Sequence, residues 1–144
     1  MKVIKNSGVS GSVFSTHGGK EKTMDGKTKW YFPDGELPPM GDDPEVYGHE
    51  SIIILNPNEK EAHVKLCIFW TDREPTWSEE MVVAAGRVKG LRATEKCDFL
   101  GGVPNAGEQY AMLLQSDIPV IAQYGRLDIR QSNMAFYTTS GYSV

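Results

Sequence analysis

Residues 61–71 read Glu-Ala-His-Val-Lys-Leu-Cys-Ile-Phe-Trp-Thr. Ala62, Val64, Leu66, Ile68 and Trp70 fall on one face of an extended chain; Glu61, His63 and Lys65 fall on the other, followed by Cys67 and Phe69. A period of two with one apolar face is the pattern of a half-buried antiparallel strand. Upstream, His49 to Leu55 contains Ile52-Ile53-Ile54, a β-branched run short enough to be a buried strand. Asn56-Pro57-Asn58 and Asp72 to Pro75 supply turns on either side of 61–71.

The same texture continues in both directions. Lys29-Trp30-Tyr31-Phe32 is β-prone and is expected to stop at Pro33-Asp34-Gly35. Leu37 to Pro44 holds three prolines and a glycine and reads as a loop. Met81-Val82-Val83 and Arg87 to Arg92 read as shorter strands around Gly86, and Ala93 to Glu108 as a long loop. Gln109 to Gln115 and Ile118 to Tyr124 read as two strands joined at Ser116-Asp117, and Met134 to Thr139 closes the chain. No segment sustains a helical period. About eight strands separated by turn signals, without crossover helices, predict an all-β, single-domain fold, an antiparallel β-sandwich or barrel. Residues 1–27 differ: five glycines with Ser and Lys between them leave little to bury, so a flexible N-terminal arm is expected before a folded domain at 28–144.

Composition narrows the function classes. The 144 residues carry 15 basic and 19 acidic side chains, a formal net charge of −4. That balance disfavours a protein held to nucleic acid mainly through phosphates. A chain of this length buries roughly 68–70% of its unfolded surface and needs no disulfide or metal staple. Apolar runs are too short for a membrane-spanning helix, and no apolar stretch follows Lys2 and Lys5 to suggest a signal peptide. Cys67 and Cys97 then read as free thiols of a cytoplasmic protein. His17, His49 and His63 lack metal-ligand spacing, and the sequence has no Gly-rich phosphate loop, Gly-x-Ser-x-Gly elbow or His-Glu-x-x-His. Neither a metal, a cofactor nor a catalytic centre is expected.

Several polar clusters stand out. In a regular strand His49 and Glu50 point to opposite faces, which argues against a His–Glu dyad and favours a solvent-exposed strand end. Arg126, Asp128 and Arg130 alternate onto one face as an ion-pair ladder that could free one Arg to clamp a carboxylate or a sugar hydroxyl. Arg87, Lys89 and Arg92 form a basic edge. Trp70 is expected in the core; Trp30 and Trp77 flank loops and are candidates for a ligand face or a subunit contact.

An ordered set of short motifs then carries a resemblance. It comprises Trp30, Pro33-Asp34-Gly35, Leu37-Pro38-Pro39, His49-Glu50, Ile54-Leu55-Asn56, Ala62-His63-Val64, Thr71-Asp72-Arg73-Glu74-Pro75, Ala85-Gly86-Arg87, Gln115 to Val120 and Gln123 to Asp128. From about Lys29 to Tyr142 the chain resembles the sensory rhodopsin transducer family of small soluble bacterial proteins. Gly48 stands where a serine is usual before His49-Glu50, and the run at Gly86-Arg87-Val88 is less Arg-rich than the family's. The resemblance implies a cytoplasmic β-sandwich homotetramer that relays signals, with a membrane receptor as its founding partner, and no enzyme. It also implies a module that binds a small polar metabolite, sugar-like or a carboxylate. The positions it marks for that ligand are Trp30, His49, Glu50, Asp72, Arg87, Gln123, Arg126 and Asp128. The alternative is a protein-interaction adaptor without a small ligand, in which the Arg126–Arg130 ladder and exposed aromatics form the interface.

Overall fold

A computed structural model describes residues 24–94 and 104–144. These form nine strands and no helix: β1 Lys27–Glu36, β2 His49–Asn56, β3 Ala62–Trp70, β4 Thr76–Trp77, β5 Met81–Val83, β6 Arg87–Ala93, β7 Gln109–Asp128, β8 Ala135–Ser140 and β9 Tyr142–Ser143. The predicted arm falls, up to residue 23, outside the described residues, as do Cys97 and most of the predicted 93–108 loop.

All pairings are antiparallel, and they build two layers. The first sheet runs β4-β3-β7-β1-β9, with β5 also on β3. The second runs β6-β2-β7-β8. The expected alternation holds in β3, where Ala62, Val64, Leu66 and Ile68 are fully buried. They face a core that includes Phe32, Ile52, Ile54, Met112, Leu114 and Tyr124. Trp70, expected in the core, is partly buried against its edge.

Two sequence expectations change. Ser116-Asp117 is not a turn: β7 is one continuous strand of 20 residues. Its first half pairs with β1 and β3, its second half with β2 and β8. The chain stays extended because the two halves serve different sheets. At the crossing, Asp117 Oδ1 accepts the His63 N–H at 2.7 Å, and the Pro119 carbonyl accepts from Asn58 Nδ2 at 2.6 Å. The Trp30 indole N–H donates to the Val120 carbonyl at 2.9 Å.

Pro33-Asp34-Gly35 does not end β1. It forms a bulge between Phe32, opposite Met112, and Gly35, opposite Tyr110. Glycine is required there: a Cβ on residue 35 would lie 2.6 Å from the Tyr110 ring. The bulge therefore seats Tyr110, which matters for the polar cluster below.

Candidate functional site

Alternation along β2 puts Glu50 on the same face as Ile52 and Ile54, inside the sandwich. The solvent-exposed strand end expected for Glu50 is thus corrected: the residue is 1% exposed. Register places Arg126 of β7 directly opposite it, and Tyr137 of β8 opposite Arg126. Four donors converge on the carboxylate. They are the Glu36 N–H at 2.8 Å, the hydroxyls of Tyr110 and Tyr124, and Arg126 Nε at 3.3 Å. Arg126 Nε also donates to the Tyr124 hydroxyl at 3.1 Å. Burial, then the Glu50 charge, push both phenols well above the ordinary tyrosine range, so they stay protonated and donate. Burial opposes the Arg126 charge, but Tyr124 and Glu50 more than offset it and hold its pKa up.

Arg126 Nη2 is buried and makes no hydrogen bond; Asp34 Oδ1 lies 3.7 Å from it. The guanidinium lies 5.5 Å from the Tyr137 ring centroid. Asp34, Tyr124 and Tyr137 all line a cleft of about 410 Å³ at the sandwich edge, between β1 on one side and β8 and β9 on the other.

The outer face of the second sheet holds a separate hollow of about 270 Å³. His49, Ser51, Arg92, Gln123, Thr138 and Phe136 surround Gly125. The missing side chain makes the depression: a Cβ at 125 would sit 3.1 Å from Ser51 Oγ and 3.2 Å from Thr138 Cγ2. His49 Nδ1 donates to the Tyr47 carbonyl at 2.9 Å, since a carbonyl only accepts, and Nε2 is left for the hollow. Beside it on the same face run Ile53, Leu55, Val88 and Ile121, all exposed, with Leu55 opposite both Val88 and Ile121.

The eight positions marked in the sequence therefore separate. Glu50 and Arg126 meet in the interior; His49 and Gln123 meet in the hollow. Asp72 pairs with Arg73 at 2.7 Å, and Arg73 stacks 3.8 Å over Trp70. Arg87 lies exposed at the start of β6 and donates to the Gly86 carbonyl at 3.0 Å. Asp128 is held by Arg130, whose bond to it lowers the Asp128 pKa, while Arg126 turns inward instead of completing a ladder. Trp30, expected at a ligand face, is in the core; Trp77 is exposed. Sequence reasoning left out Ser51, Phe136 and Thr138, and treated Arg92 only as an edge cation. Gly125 between Tyr124 and Arg126 was the available signal, because a glycine inside a strand marks a depression or close approach.

No curated protein matches the chain. Among solved structures, the crystal structure of Thermotoga maritima 1070 is similar at 30% identity and a TM-score of 0.73. That match covers 84% of this chain and 97% of the other. The Anabaena sensory rhodopsin transducer is similar at 31% identity and a TM-score of 0.61, covering 71% of this chain and 98% of its own. The family model for the Anabaena sensory rhodopsin transducer matches residues 25–143, essentially the whole described sandwich, and the chain belongs to that family.

Proposed function

We propose that this protein is a non-enzymatic relay in the cytoplasm that holds a small sugar-acid-like metabolite in the hollow of the second sheet. Occupancy is passed to a protein neighbour through the adjoining apolar strip. The observation that carries this reading is the continuity of the two surfaces: the polar hollow around Gly125 runs directly into Ile53, Leu55, Val88 and Ile121. Arg92 suits a carboxylate, and His49 Nε2, Ser51, Thr138 and Gln123 suit hydroxyls. A ligand seated beside a docking strip can contact two packings differently, which is what coupling requires. The neighbour is a second copy of the chain in a homotetramer, in line with the family resemblance. The adaptor reading draws on the same strip, with a receptor as the occupant and no ligand.

The test is calorimetry and thermal unfolding with glucuronate, gluconate and glucose, on the parent chain and on Arg92→Ala, with sedimentation to follow assembly. A ligand at a hundredfold excess over its dissociation constant stabilises the fold by about 2.7 kcal/mol. The reading expects stabilisation by a sugar acid, its loss in Arg92→Ala, and a change of assembly on binding. No stabilisation by any of the three, with association intact, would leave the adaptor.

A further inference from the structure

A buried guanidinium nitrogen without a hydrogen bond calls for an acceptor, because such groups are seldom left unpaired. Arg126 is 8% exposed, and its Nη2 is the orphan. Arg126 is not itself a wall of the edge cleft, but three residues beside its guanidinium, Asp34, Tyr124 and Tyr137, are. Asp34 and Tyr137 stand beside the guanidinium on that side, and both are exposed, so a ligand reaching Nη2 must turn the Tyr137 ring aside while Asp34 stays in place. The cleft's volume, about 410 Å³, falls within the range of small-molecule sites. Its walls are Phe32, Pro33, Tyr137 and Tyr142, and Tyr142 is 71% exposed.

Charge selects the ligand class. Glu50 and Asp34 are acids and Arg126 is the one base among them, so the group carries a net charge of −1. A simple carboxylate would raise that to −2. A simple amine would pair with Asp34 but leave Nη2 facing a cation. A zwitterion adds no net charge and gives each group a charged partner, and charge-assisted hydrogen bonds are about twice as strong as neutral ones. The Nη2 to Oδ1 separation of 3.7 Å lets the adjacent carboxylate and ammonium of one α-carbon engage the two residues together. We propose that this cleft binds a free α-amino acid with an apolar or aromatic side chain. Its carboxylate meets Arg126, its ammonium meets Asp34, and its side chain packs between Phe32, Tyr137 and Tyr142. This site is distinct from the hollow of the second sheet and does not depend on it.

The experiment is titration of the full chain with L-phenylalanine and L-leucine, read by calorimetry and by NMR of the aromatic side chains. N-acetyl-L-phenylalanine, phenethylamine and glucose serve as comparison ligands. The expected result is saturable binding of L-phenylalanine that shifts Tyr142 and Phe32. Losing the ammonium or the carboxylate from the ligand should weaken it tenfold or more. Asp34→Asn, a substitution at an exposed side chain that leaves the core intact, should weaken it likewise. The proposal is overturned if neither amino acid binds at roughly 1 mM, the weak end of specific affinities. It is equally overturned if N-acetyl-L-phenylalanine or glucose binds as well, if Asp34→Asn binds unchanged, or if the shifts fall on Phe136 instead.

Discussion

Replacing Glu50 by glutamine probes the interior cluster with almost no change of volume. In the parent protein the carboxylate accepts from one backbone N–H, two phenols and Arg126 Nε. Glutamine keeps one acceptor oxygen, and the Tyr110 hydroxyl can turn to accept from the new amide. Arg126 cannot adapt in that way. It remains buried, and its remaining carboxylate is Asp34 at 3.7 Å. Removing one partner of a buried ion pair costs about 3–5 kcal/mol. Asp34 places the expected loss at the lower end, about 3 kcal/mol, against a total stability of about 5–15 kcal/mol for a domain. At about 3–4 °C per kcal/mol for this size, Tm falls by about 10 °C. Urea unfolding followed by tryptophan fluorescence measures it, since Trp30 is buried in the core. Tyr110→Phe, which deletes a single bond to a charged group, should cost about 1.5–3 kcal/mol. The double variant Glu50→Leu/Arg126→Met should be milder than Glu50→Leu alone, because the pair is removed together. A loss below about 1 kcal/mol for Glu50→Gln, with an unchanged denaturant slope, would refute the claim that Glu50 neutralises a buried Arg126.

Three further outcomes are expected. Gly35→Ala pushes a methyl into the Tyr110 ring and should cost about 1–3 kcal/mol by equilibrium unfolding. His63 is held above the ordinary histidine value, first by its hydrogen bond to Glu80 and further by Asp117 and Glu61. The stabilisation it lends is therefore complete below about 6.5 and fades as pH rises through the folded-state value. NMR titration should show this raised midpoint return toward 6.5 in Glu80→Gln. Val88→Lys places a charge in the exposed apolar strip and should abolish the proposed self-association in sedimentation experiments while leaving the melting temperature of the isolated fold within a few degrees.

The sandwich was legible because its strands advertise themselves locally. In β3 each second residue is apolar, and that alone sets which face is buried. What escaped notice depends on partners far away in sequence. Ser116 and Asp117 are turn formers by type, and only the positions of β1, β2, β3 and β8 show why the chain runs straight through them. Glu50 is separated by 60 residues from Tyr110 and by 76 from Arg126. One local clue existed, since Glu50 shares a parity with Ile52 and Ile54, and a carboxylate on that face must be paired. The site positions scattered for a related reason. His49 and Gln123 met because β2 and β7 are neighbours, whereas Asp72 and Arg87 lie at the ends of other elements and found local partners instead.

The sharing of β7 between both layers also sets the order in which the molecule can be made. Residues 109–128 lie between β3 and β1 in one sheet and between β2 and β8 in the other. A chain emerging from the ribosome exposes β1, β2, β3 and β6 before the strand that joins them has been synthesised. Neither sheet has its centre until that moment, and the apolar faces of the early strands must wait uncovered. Such long-range pairing makes folding slow and late. A nascent chain halted before Gln109 is thus a natural client for holdase chaperones, whereas release only a few tens of residues later yields a complete sandwich.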